Sequence, residues 1–152
     1  MSNAAPAAYE PHDLLAYSLK HANKRLTEMT DTALGSLDID GKDFGVLRVL
    51  VGAGLPSQQQ VAETLGVDRT TMVAVLDRLE AKGVVARRPD PNDRRRNVVE
   101  VTERGLTIFQ QADKAYAAVE QEFLASVTPT AARHFRQVLR AVTSAGPEAS
   151  QE

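Results

Sequence analysis

The chain has 152 residues, 43% hydrophobic and 25% charged, the balance of one ordinary globular domain able to bury a core. It has no cysteine, which excludes disulfides, thiolate metal sites and thiol redox chemistry, and no apolar run nears the roughly 18 residues of a membrane span. Its formal net charge is −2, yet nine of the 18 Lys and Arg lie between Arg69 and Arg104, while seven acidic residues lie between Glu10 and Asp43.

Residues 1–8 are set aside as a disordered N-terminus or tag remnant, since Ser2-Asn3-Ala4 has the form of a cloning scar. Residues 11–33 form an expected amphipathic helix, with Leu15, Leu19, Ala22, Leu26 and Met29 recurring at three- and four-residue steps. A polar loop follows from Gly35 to Gly41. The next helix, 42–53, is built on Phe44, Leu47, Leu50 and Val51, and its internal Gly45 suggests close packing against another helix.

Ser57-x-x-Gln60 has the form of a capping box, and Leu65-Gly66 that of a helix stop. Asp68 is placed to cap a further helix, 69–82, with Met72, Val75, Leu76 and Leu79 as its buried stripe and Gly83 as its end. Two short β-type runs, Val84-Val85 and Val98 to Val101, flank an Arg-rich loop. Thr102 would cap a long helix whose apolar positions are Phe109, Ala112, Tyr116, Val119 and Phe123. Thr128-Pro129 opens a last helix with Ala132, Phe135, Leu139 and Val142 on its apolar face, and Gly146-Pro147 ends the order.

Two short helices, a tight Gly turn and a basic hairpin have the order of a helix-turn-helix with a wing. The fold class expected is therefore mainly α with a small β-wing. The winged helix occupies about 42–102, and dimerisation helices about 11–33 and 103–145 flank it. Residues 9–145 form a single domain, and 146–152 a disordered C-terminus. The outer helices carry more apolar surface than a small winged helix needs for its own core, so a two-fold homodimer is expected.

The stretch LGVDRTTMVAVLDRLEAKGVVARRPDPNDRRRNVVEVTERG resembles the MarR family of bacterial transcriptional regulators. The sharpest match is Asp-Pro-Asn-Asp-Arg-Arg-Arg, then a strand and Thr102-x-x-Gly105; the likeness in element order runs from about residue 11 to 145. The resemblance implies a homodimer bound to pseudo-palindromic double-stranded DNA near promoters, usually as a repressor. It also implies release when a small aromatic or anionic effector binds between the dimerisation and DNA-binding regions. Of the wing, Arg95 matches the family's tip arginine, which enters the minor groove, and Asp93 the acid two residues before it.

With the apolar stripe of helix 69–82 turned inward, Thr70, Ala74 and Asp77 face outward, with Thr71, Val73 and Arg78 on the flanks. Arg69 at its N-terminal end suits either a guanine edge or a phosphate, and Thr70, Thr71 and Ala74 suit bases, phosphates or thymine methyls. Where many family members carry Arg on the outer face, this helix has Ala74 beside Val73, so more specificity should come from the wing and DNA shape. Asp93 at that spacing would pin the Arg95 side chain in an extended pose. Arg94 and Arg96, with Arg87 and Arg88, suit flanking phosphates. Ser57 and Gln58 would offer a helix N-terminus to a phosphate or serve only as caps. Asp77 would need a partner; Arg78, Arg95 or a base amine are the candidates.

An anionic ligand would be met by His21 and Arg25 on the first helix and by Phe44 and Arg48 on the second. The commoner reading of these four is surface charge and a core aromatic. His12, His21 and His134 lack the close spacing of a metal set, and no cofactor is expected. No catalytic constellation is visible, so the chain is read as a non-enzyme. Cytoplasmic location is expected, since the N-terminus has no signal-peptide core. The alternative function is a winged-helix module that binds protein rather than DNA, which has no need of Arg94-Arg95-Arg96 beside a polar face.

Overall fold

The structure is a computed structural model that describes His12 and residues 14–144. The expected ends, 1–8 and 146–152, and the Gly146-Pro147 stop lie outside the described residues. Eight elements follow in chain order: α1 (Leu15–Leu34), α2 (Gly41–Ala53), α3 (Gln58–Leu65), α4 (Arg69–Ala81), β1 (Val85–Pro89), β2 (Asn97–Val101), α5 (Glu103–Phe123) and α6 (Pro129–Ser144). This is the mainly helical architecture with one small antiparallel sheet that the sequence predicts. The first linker is tighter than expected: Gly35–Leu37 form a turn of 3-10 helix, and Asp38 takes the left-handed conformation after it.

Chain contacts divide the molecule into two compact units, with the boundary between Val119 and Glu120. The first holds α1 to α4, the sheet and most of α5. Its core is a continuous cluster that includes Leu34, Phe44, Leu47, Leu50, Val61, Met72, Leu76, Leu79, Val85 and Val99. All four stripe residues of α4 are buried, as the helical spacing requires. Burying each such side chain is worth about 1.5–3 kcal/mol relative to exposure. On α2 the inward face is rotated from the expected one: Val46 is buried and Val51 is exposed. Gly45 does face α3, but a Cβ there would meet Leu65 Cδ2 at 3.7 Å, an ordinary contact, so packing alone does not demand glycine.

The helix ends are set locally. The Asp40 side chain accepts from the Asp43 N–H and Asp43 from the Asp40 N–H, a reciprocal box at the start of α2. Ser57 and Gln60 do the same for α3, and Gly66 (φ +62°) closes it in the left-handed region. Asp68 caps α4 through the Thr71 N–H at 2.8 Å.

The hairpin pairs Val85 with Val101, Arg87 with Val99 and Pro89 with Asn97. Its strands are longer than the sequence pattern suggests, because Arg87, Arg88 and Pro89 continue β1 in register. A third segment joins it: the Val99 N–H donates to the Pro56 carbonyl at 3.1 Å, and Ser57 bridges to Val98. The start of α3 is thereby stitched to β2.

Gly105 shows how closely α5 meets the base of the hairpin. A Cβ at that position would lie 2.1 Å from the Val84 carbonyl oxygen and 2.7 Å from Val101 Cγ1. Thr102 holds the approach, donating its hydroxyl to the Gly83 carbonyl (2.6 Å) and accepting from the Gly105 N–H (3.0 Å). In the second unit, Thr128 caps α6 through the Ala131 N–H, and Arg136 pairs with Glu120 at 2.9 Å. No residue of α6 is buried, and Phe135, Val138 and Val142 stand exposed.

Candidate nucleic-acid interface

A cleft of 630 Å³ opens where the start of α3, the start of α4 and the end of the wing loop meet. Ser57, Gln58, Arg69, Arg95 and Arg96 all line it, with Asn97 and the polar face of α3. Residues nearly 40 positions apart in sequence thus converge on one surface. The carboxylate in this lining, Glu63, is engaged by the Gln59 amide at 2.8 Å. Ser57 is largely buried and its hydroxyl is used as the α3 cap, so its outward contribution is the backbone end of the helix.

On α4, Arg69, Thr70 and Ala74 are exposed, while Val73 is half-buried. The Thr71 hydroxyl donates to Asp68. That bond, with the Thr71 N–H, holds the Asp68 carboxyl below the usual carboxylate range. Arg78 departs from the expected DNA-facing flank. Its guanidinium reaches the nearly buried Asp43 and lies 3.4 Å from Asp40, so it ties α4 to the start of α2. The bond to Asp43 raises its pKa further above the ordinary arginine value. Lys82 repeats the tie one turn later, 3.2 Å from Asp38.

Asp77 has a partner, and it is none of the three considered. Arg87 on β1 donates to Asp77 (2.7 Å) and to Glu80 (3.0 Å), and its own N–H also bonds Glu80. Arg87 is therefore a clamp between α4 and the wing rather than a free phosphate ligand; its Nε is buried with no partner among the described residues. Arg88 is likewise occupied, by Glu100 at 2.7 Å. Neither pairing was visible in the sequence, because Arg87 meets its partners only when β1 folds back along α4, and Arg88 meets Glu100 only when the hairpin closes.

The wing loop is ordered through its backbone. Asp90 accepts from the Asn92 N–H, its N–H donates to the Arg96 carbonyl at 2.8 Å, and the Asp93 side chain accepts from the Arg95 N–H at 3.0 Å. Asp93 does support Arg95, but by fixing the main-chain turn; it does not hold the guanidinium as expected. Arg94, Arg95 and Arg96 are exposed.

The four expected ligand residues do not form one set. His21 packs its ring on Tyr17, with centroids 4.0 Å apart, on the exposed side of α1. Arg25 is exposed there as well. Phe44 is a core residue stacked with Phe109 and tilted against Tyr116, and Arg48 pairs with Asp113 at 3.3 Å. None of the four lines the cleft above. They are equally absent from a second cleft, of 420 Å³, between the start of α2 and the α3–α4 turn.

A two-helix reading unit followed by a stitched hairpin defines the winged helix-turn-helix class. The MarR family profile matches residues 37–96. The multiple antibiotic resistance protein MarR of Salmonella typhimurium is 34% identical over 89 residues, 59% of this chain and 62% of that protein. The HTH-type transcriptional repressor NicR of Pseudomonas putida is 29% identical over 110 residues, 70% of each chain. A mutant E. coli MarR solved with operator DNA superposes with a TM-score of 0.79 at 25% identity, covering 89% of this chain and 99% of that one. Residues 37–96 thus match the MarR family, and the chain resembles MarR-family transcriptional regulators in sequence and fold. It spans between 51% and 70% of the length of the curated relatives it matches. No helix among the described residues is long and apolar enough to cross a membrane.

Proposed function

We propose that the chain is a homodimeric repressor that binds a pseudo-palindromic operator in double-stranded DNA. The observation that carries DNA binding is a partition of charge. Between residues 69 and 104, Arg78, Lys82, Arg87 and Arg88 are in ion pairs within the fold, whereas Arg69, Arg94, Arg95, Arg96 and Arg104 have none among the described residues. Three of those five line one cleft. Guanidinium groups gathered around one cleft with a single carboxylate, Glu63, among them repel one another, and a phosphate backbone relieves that repulsion while releasing counterions.

In this reading the exposed start of α4 enters the major groove with Arg69 and Thr70. The wing tip carries Arg95 to the adjacent minor groove, and Arg94 and Arg96 meet the flanking phosphates. The α3 N-terminus at Ser57 and Gln58 faces a phosphate. The exposed apolar residues of α1 (Leu15, Leu19) and α6 (Phe135, Val138, Val142) support a second copy as partner. Effector control rests on the family likeness: a small aromatic or anionic compound that lowers operator affinity. The partners that Phe44 and Arg48 already have argue against assigning it to the four residues first considered.

The test is selection of genomic fragments by the purified protein at two salt concentrations. The expected result is an inverted repeat with half-sites about one helical turn apart, and an affinity falling with salt at a slope near −0.9 per phosphate contact. Retention of no sequence, with binding abolished by modest salt, would instead favour a protein-binding winged helix.

A further inference from the structure

The outer face of α4 can be accounted for group by group. The Asp77 carboxylate is bonded by Arg87 at 2.7 Å, the Thr71 hydroxyl is spent on Asp68, and Arg78 turns to Asp43 and Asp40. What stays free among the described residues at the first two turns is the Arg69 guanidinium, the Thr70 hydroxyl, and a run of methyl groups on Thr70, Val73 and Ala74. Positions 70, 73, 74 and 77 share one helical face. Thr70 and Ala74 are exposed and Val73 is half-buried. Such a face can offer a hydrogen bond at its leading edge but none from Val73 or Ala74.

In the major groove the apolar feature on a base edge is the C5-methyl of thymine. We propose that α4 selects its half-site by packing Val73 and Ala74 on thymine methyls. Arg69 is then the charged base reader of this helix, and the positions facing its second turn are read by loss of water rather than by hydrogen bonds. The Arg87 clamp makes this possible: it neutralises the acid one turn along, which otherwise would push the helix away from the phosphates. The inference rests on the DNA-binding reading above and adds the base chemistry that reading leaves open.

The experiment uses the operator obtained by genomic selection, with thymine replaced by deoxyuridine one position at a time. Deoxyuridine keeps the base pair and the O4 acceptor and lacks only the methyl. Affinity is expected to fall about fourfold for each methyl that is buried, at the one or two thymines facing the second turn of α4. With Ala74→Ser or the isosteric Val73→Thr, that penalty shrinks toward none, while the salt slope stays as in the parent. An operator indifferent to deoxyuridine at every position overturns this inference and leaves the DNA-binding reading standing. So does a penalty of unchanged size in both variants. A protein that selects no sequence overturns both.

Discussion

Arg78 offers the sharpest contest between two physical accounts of one residue. As a DNA contact, Arg78→Ala would lower operator affinity and leave the free protein as stable as before. The structure assigns it instead to Asp43, whose side chain is 2% exposed and whose other bond is the Asp40 N–H at 3.2 Å. Removing one partner of a buried ion pair costs about 3–5 kcal/mol, because the remaining charge stays desolvated. The guanidinium here is 42% exposed, so water screens the pair and can reach Asp43 once the side chain is gone. A loss of about 2 kcal/mol is expected, which lowers the melting midpoint by about 4–8 °C for a chain of this size. Asp43→Asn should cost less than Arg78→Ala, since it leaves no charge buried. The double variant should fall well short of the sum, with a coupling of about 1 kcal/mol. Urea unfolding followed by circular dichroism reads all three. Stability of Arg78→Ala within about 0.5 kcal/mol of the parent, together with a large loss of operator affinity, would refute this account and restore the DNA-facing one.

Other expectations follow from the same geometry. Gly105→Ala places a methyl against the Val84 carbonyl, so it should destabilise by about 3 kcal/mol, at the upper end of overpacking, and a midpoint close to the parent's in a thermal melt would contradict the close approach. Arg95→Ala should weaken operator binding well beyond Arg104→Ala in a titration by fluorescence anisotropy, and equal losses would remove the wing tip from the interface. The Asp68 carboxyl titrates below its unfolded value in the folded chain, so its cap contributes above the unfolded pKa and is lost as pH falls through the lower folded one. Asp68→Asn, which can still cap, should therefore flatten that acid limb of the stability profile; an unaltered limb would show that other carboxylates set it.

The sequence reveals what is encoded over a few residues. The Ser57–Gln60 box, the left-handed Gly66 and the Asp68 cap were all legible because their partners lie within one helical turn. The α4 stripe was legible because four apolar residues at helical spacing leave one possible inward face. Reading failed where the partner is remote. Arg78 and Asp43 are 35 positions apart, and pattern alone left Arg78 on the DNA-facing flank. Arg87 and Asp77 share no local motif; the fold-back of β1 makes them neighbours. Asp93 and Arg95 were correctly paired, yet the carboxylate reaches the nearer N–H instead of the guanidinium. On α2 the apolar residues are dense enough to suit two faces, and the packed core buries Val46 while leaving Val51 exposed.

The stitch between the Pro56 carbonyl and the Val99 N–H has a bearing on control. The root of the wing cannot slide past α3 without giving up that bond and the adjoining bridge. The start of α3 and the root of the wing, which carry the surfaces proposed to read each half-site, are thereby held at one spacing, like a gauge set at its hinge. In the proposed dimer, the fit to an operator would then rest on the span between the two copies rather than on the opening of either. Under the same proposal, an effector would be expected to act on that span rather than on the wing loop.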